Sequence, residues 1–175
     1  MNSINQNTTL VELAGIICKH LQMKGIQVTL VGGAVVTFYT DNEYQSRDLD
    51  FISPNDHKKI TDAMSDLGFI PKGKDFYHPH TQFTVEFPSG PLAIGNSIPV
   101  KAEGEYETAA GVIHLFSPTQ CVMDRLAWFY HYKDRQCLDQ AISVAKKHPV
   151  NLAQIKKWSQ EEGAIEQFEF FKSRL

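Results

Sequence analysis

Three acids in this 175-residue chain sit among strand-forming apolar residues: Asp48 and Asp50 in Asp48-Leu49-Asp50-Phe51-Ile52, and Glu86 in Thr84-Val85-Glu86-Phe87. Charges are rarely placed on buried strands unless they are paired or bind a metal. Alternation puts Asp48 and Asp50 on one face of a strand. If the strand carrying Glu86 lies beside it, three carboxylates converge. Such a cluster raises its own pKa values unless a cation neutralises it, and hard oxygen ligands with room for water suit Mg²⁺ or Mn²⁺. That donor set serves two-metal phosphoryl transfer. Without a ligand, the same aspartates would form a solvated strand face or an acid cluster salt-bridged to Arg47 and lysines, and Glu86 would sit on an exposed edge strand.

Upstream lies Gly32-Gly33 in Val31-Gly32-Gly33-Ala34. Two residues without Cβ at a strand-to-helix junction let a phosphate approach the backbone, where free N–H groups and the helix dipole favour an anion. The pair lacks the Lys-Ser/Thr of a P-loop, and the chain has no G-x-G-x-x-G fingerprint. Its other reading is a tight turn with no ligand.

The elements that must position these residues are legible from punctuation and periodicity. Thr9-Leu10-Val11-Glu12 is a capping-box pattern, and Leu10, Leu13, Ile16, Ile17 and Leu21 recur at helical spacing up to Gly25, predicting a helix over 10–24. Residues 27–31 read as a strand, a short helix follows Gly33, residues 41–47 form a polar loop, and residues 48–52 form a strand. Ser53-Pro54 reads as a helix start, with a helix over 54–67 ended by Gly68. From Phe69 to Phe116 the signals are short strands between turns, at 69–70, 76–77, 81–87, 98–100 and 112–116, predicting a mixed or antiparallel sheet there. Ser117-Pro118-Thr119-Gln120 opens a tail of three or four helices.

The order of strand, Gly-Gly, helix, loop, Asp-x-Asp strand and later acid resembles the nucleotidyltransferase fold of the DNA polymerase beta superfamily. The stretches Val31-Gly32-Gly33-Ala34 and Ser46-Arg47-Asp48-Leu49-Asp50-Phe51 look like the small stand-alone AbiEii-like nucleotidyltransferases of toxin–antitoxin systems. This resemblance implies that Gly32 and Gly33, with Arg47, hold a triphosphate, that Asp48 and Asp50 bind the metals, and that Glu86 is the third acid. Weaker likeness in the tail, at Asp124-Arg125-Leu126-Ala127 and Lys133-Asp134-Arg135, implies triphosphate contacts from Arg125, Lys133 and Arg135, with Arg125 standing where a lysine is usual.

The remaining side chains read as structural. Cys18, Cys121 and Cys137 lack C-x-x-C spacing and lie in apolar helical stretches, as buried thiols would. His78-Pro79-His80 lacks further ligands at metal spacing. Trp128, Phe129, Tyr130 and Tyr132 form an aromatic stripe of the kind that usually packs a core, base stacking being the other reading.

Composition excludes several classes. The chain is 42% hydrophobic and 21% charged, with a net charge of −3, which argues against a disordered chain or a wholesale basic nucleic-acid coat. Residues 1–117 carry 8 basic and 13 acidic residues, and residues 118–175 carry 9 and 7. No apolar run is long enough for a membrane span, and Met1–Thr8 lacks the pattern of a signal peptide, so a cytoplasmic protein is expected.

The expectation is an α/β (α+β) fold, with a nucleotidyltransferase-like mixed sheet and flanking helices in residues 1–117 and a helical segment, 118–175, packed on it. Its expected activity is metal-dependent transfer of a nucleoside monophosphate from an NTP to a hydroxyl acceptor on RNA, tRNA or protein, with a toxin or antitoxin as a candidate partner. The competing reading is a non-catalytic nucleotide- or partner-binding module on the same scaffold.

Overall fold

The computed structural model describes residues 4–175. The first three residues of the Met1–Thr8 stretch lie outside them. The elements in chain order are α1 (Leu10–Met23), β1 (Thr29–Val31), α2 (Gly33–Tyr39), β2 (Asp48–Ile52), α3 (His57–Asp66), β3 (Ile70–Lys72), β4 (Asp75–Tyr77), β5 (Thr84–Glu86), β6 (Gly104–Glu107), β7 (Val112–Leu115), α4 (Pro118–Tyr132), α5 (Arg135–Lys147), α6 (Leu152–Glu161) and α7 (Ile165–Lys172). The strands form one mixed sheet in the order β3-β4-β5-β2-β1-β7-β6. β1 runs antiparallel to β2 and parallel to β7, β2 runs parallel to β5, and the β3-β4-β5 and β6-β7 pairs are antiparallel. After residue 117 every element is a helix.

Local chemistry accounts for most element boundaries. The Thr9–Glu12 capping box opens α1 as expected, and Gly25, at φ +69°, turns the chain after it. Ser53-Pro54, by contrast, does not start a helix. The Ser53 hydroxyl donates to the Gln27 carbonyl (2.6 Å), Asn55 Oδ1 accepts from Gln27 N (2.9 Å), and Asp56 caps α3 in its place. These same bonds occupy the backbone of Gln27, so β1 begins later than the sequence pattern suggests. The segment 98–100 forms no strand, and β6, which lacks an apolar run, arises through its ladder with β7.

The core lies under the central strands. Leu49 and Phe51 on β2, Leu30 on β1, Val85 on β5 and Leu115 on β7 are fully buried, and Phe51, Phe87 and Phe76 pack ring to ring. The three cysteines are buried free thiols. α1 packs on β7 and α3, while α2 packs on β1 and β2 and touches α4 and α5. The last contact is bonded: His148 reaches the Tyr39 carbonyl (2.7 Å), and Lys147 reaches the Thr40 carbonyl (3.3 Å) and Glu43 (2.7 Å). Among the described residues no helix is long and apolar enough to cross a membrane.

The start of α4 is fixed by Gln120, which is 3% exposed. Its Oε1 accepts from Ser117 N (3.1 Å), closing a capping box, and from Glu103 N (2.9 Å), while its Nε2 donates to the Lys101 carbonyl (2.7 Å). A Gln120→Ala substitution strands these three backbone groups. It is expected to cost about 2–3 kcal/mol and to lower Tm by roughly 4–12 °C in thermal denaturation. An unchanged Tm would show that these bonds do not anchor α4.

Candidate active site

The pleat of β2 buries Leu49 and Phe51 and turns Asp48 and Asp50 to the opposite face. Asp50 is flanked in register by Val31 of β1 and Glu86 of β5, and Asp48 is paired with Thr84. β5 lies between β4 and β2, so Glu86 is not on an edge strand. Asp50 and Glu86 are therefore register neighbours on adjacent parallel strands, close enough for their like charges to repel.

Burial drives the Asp50 carboxyl up from its ordinary 3.8 to about 6, with Glu86 and then Asp48 adding to the rise and Arg125 and Lys74 opposing it. Glu86 is paired with Lys74 from the β3–β4 turn (2.8 Å). Asp48 Oδ1 accepts from the Thr84 hydroxyl, and its backbone is braced by Ser46, whose Oγ donates to the Asp48 carbonyl (3.0 Å).

The two glycines do different work. Gly32 has φ +74° and ψ −152°, a conformation essentially reserved for glycine, and a Cβ there would stand 2.9 Å from Asp50 Oδ2. It lets Asp50 lie against the backbone. Gly33 instead faces the loop before β2, where a Cβ would meet Tyr44 at 3.3 Å and Ser46 at 3.5 Å.

Above these groups lies an open cleft of about 860 Å³, with Gly32, Asp50 and Glu86 on one wall. Residues 88–96 and α4 form the rest, α4 contributing Asp124, Arg125, Ala127, Trp128, His131 and Tyr132. Arg125 is 8% exposed. Its Nε and Nη2 donate to Asp124 (3.1 and 2.6 Å), and Nη1 points to the Cys137 sulfur (3.7 Å). Burial opposes its charge, but Asp124, with Cys137 and Cys121 adding, outweighs this and holds the guanidinium above its ordinary pKa.

Of the nine residues singled out from the sequence, Gly32, Asp50, Glu86 and Arg125 meet at the cleft, and Asp48 lies beside Asp50 on the same strand face. Arg47 is exposed immediately before β2. Lys133, in the left-handed conformation that ends α4, and Arg135, opening α5, are exposed and do not line the cleft. The aromatic stripe divides. Phe129 and Tyr130 turn inward, Tyr130 stacking on Trp158 and bonding Ser159, whereas Trp128 and Tyr132 are exposed on the cleft wall. Their spacing from Arg125, three and seven residues, was the available signal of a shared face.

Carboxylates at Asp48, Asp50 and Glu86 form a hard-oxygen donor set whose mutual repulsion a divalent cation would relieve. In this arrangement Asp48 is engaged by Thr84 and Glu86 by Lys74. Among the described residues no three His, Cys, Asp or Glu side chains are grouped so as to hold a metal ion as they stand.

Residues 10–67 match the family described as nucleotidyl transferase of unknown function (DUF2204). That span contains both glycines and both aspartates. No curated protein matches the chain. Among solved structures the chain is similar to an antigenic nucleotidyltransferase-like protein from Paracoccidioides brasiliensis, at 14% identity and a TM-score of 0.63, over 94% of this chain and 93% of that one. The fold is thus nucleotidyltransferase-like.

A group whose folded pKa is raised holds its proton in the folded state, so the stability it contributes falls as pH rises from the unfolded to the folded value. For Asp50 that window is pH 3.8 to about 6. Asp50→Asn is therefore expected to be more stable than wild type at pH 7.5 in chelator, by up to about 3 kcal/mol. The gap should close toward pH 4, as read by denaturant unfolding; a gap independent of pH would show that Asp50 does not carry this charge penalty. Gly32→Ala is expected to lose about 1–3 kcal/mol in the same assay. Full stability there would mean that the turn accommodates a Cβ.

Proposed function

We propose that the chain is a metal-dependent nucleotidyltransferase that moves a nucleoside monophosphate from an NTP to a hydroxyl acceptor. The observation that carries this reading is the Asp50–Glu86 register pair, set against Gly32 on the wall of a cleft whose other side presents Arg125. The match over residues 10–67 and the fold likeness support it.

In this reading Asp48, Asp50 and Glu86 would hold Mg²⁺ or Mn²⁺. The bound cation would supply charge neutralisation at the triphosphate and acidify the acceptor hydroxyl. Gly32 seats the Asp50 carboxylate against the backbone at the cleft wall, and Arg125, already oriented by Asp124, faces the developing negative charge. The acceptor oxygen bonds to the α-phosphorus as the bond to the bridging oxygen of the β-phosphate breaks. Pyrophosphate leaves, and a neighbouring carboxylate, Glu86 in this arrangement, takes the hydroxyl proton. Catalysis is then mainly positioning and electrostatics. The acceptor class, RNA, tRNA or protein, and a toxin or antitoxin partner belong to the same proposal.

The test is titration of each NTP into wild type and into Asp48→Ala/Asp50→Ala, with and without Mg²⁺ or Mn²⁺. Metal-dependent binding that weakens at least tenfold in the double variant is expected. Binding indifferent to metal and to both aspartates would sink the transferase and favour a partner-binding module.

A further inference from the structure

We propose that the far end of the cleft seats the nucleobase of the bound nucleotide, with Trp128 and Tyr132 as its stacking surface. This deepens the nucleotidyl-transfer reading of the same cleft and rests on it. Trp128 is 46% and Tyr132 71% exposed, whereas the other tryptophan, Trp158, is 4% exposed. The two rings lie 5.0 Å apart at 33°. Neither ring is needed for packing the tail, because Phe129 and Tyr130 supply the inward contacts of that turn of α4.

Their placement along α4 matches what a nucleotide requires. At about 1.5 Å rise per residue, Trp128 lies about 4.5 Å and Tyr132 about 10.5 Å along the axis beyond Arg125, on the same helix face. A nucleotide with its phosphates between Arg125 and the Asp50–Glu86 pair runs its sugar and base along that face. Every base offers a π-surface, so an open aromatic pair serves any of them.

The surroundings of the pair are polar and held in place, which suits a heterocycle better than an apolar partner. Glu162, whose side chain is 2% exposed, accepts from Asn96 N (2.7 Å), Asn96 Nδ2 (2.9 Å) and His131 Nε2 (2.7 Å). Asn96 and His131 both line the cleft. Asn96 Oδ1 and His131 Nδ1 take no part in these three bonds, which leaves both residues with a polar atom for hydrogen bonding at the cleft.

Equilibrium titrations of the full chain with each NTP plus Mg²⁺, and with inorganic tripolyphosphate plus Mg²⁺, read the proposal directly. Wild type is expected to bind NTPs more tightly than tripolyphosphate, with quenching of tryptophan emission by NTPs only. Trp128→Leu and Tyr132→Leu are each expected to weaken NTP binding about 5- to 100-fold and leave tripolyphosphate binding unchanged. Trp128→Phe should retain most of the affinity and lose the quenching. Unchanged NTP affinity in both leucine variants, or equal losses for NTP and tripolyphosphate, overturns the proposal while leaving nucleotidyl transfer standing. Failure of wild type to bind any NTP overturns both.

Discussion

Two carboxylates held side by side on adjacent strands repel each other, and the pairing of Asp50 with Glu86 is the feature around which this molecule is arranged. Nothing local favours it. What imposes it is the opposite face of the same strands, where Leu49, Phe51 and Val85 are fully buried. A slip of one residue in either strand would carry acids into the core and leucine or phenylalanine into the cleft. Hydrophobic burial thus sets the register, and the register sets the electrostatics. Part of the resulting strain is relieved by Lys74 on Glu86 and by Thr84 on Asp48. Among the described residues Asp50 has no such direct partner, and burial together with the neighbouring carboxylates pushes its carboxyl up.

The second wall of the cleft adds polar anchors to the same apolar burial, since α4 packs Val122 and Leu126 into the core. α4 belongs to the helical tail, and polar anchors to segments distant in sequence supplement its apolar packing. Gln120 ties its first turn to residues 101–103, and Glu162 ties His131 to the loop at Asn96. These are buried or nearly buried polar groups with their partners supplied, and such networks specify one docking geometry because leaving any member unpaired is costly. The bonds from His148 and Lys147 to the end of α2 connect the tail to the helix that Gly32 caps and Gly33 opens. The two walls are consequently referred to one another through side chains rather than through a continuous apolar interface alone.

Gly32 and Gly33 illustrate how a sequence pair can conceal two roles. The sequence resemblance implies one role, holding phosphate, for both. In the folded chain Gly32 admits the Asp50 carboxylate, while Gly33 admits Tyr44 and Ser46, and Ser46 braces the backbone of Asp48. One glycine shapes the cleft, and the other shapes the loop that delivers the aspartates.

The sequence by itself determined the periodic and punctuated parts of this protein. These are the capped helix at α1, the alternating β2 with both aspartates on one face, the turn glycine before α2 and the capping box of α4, all features that depend on neighbours in the chain. Tertiary structure alone decided what depends on distant partners. The Ser53 hydroxyl is used for Gln27 rather than for a helix start, β6 exists because β7 pairs with it, and Lys133 and Arg135 fall outside the cleft because α4 ends before them. In the sequence the aromatic residues of α4 form one stripe. Their division into an inward pair and a cleft-lining pair follows from which sides of the helix meet α6 and α7. Helical spacing places residues on a common face, but which face is buried is a property of the packed whole.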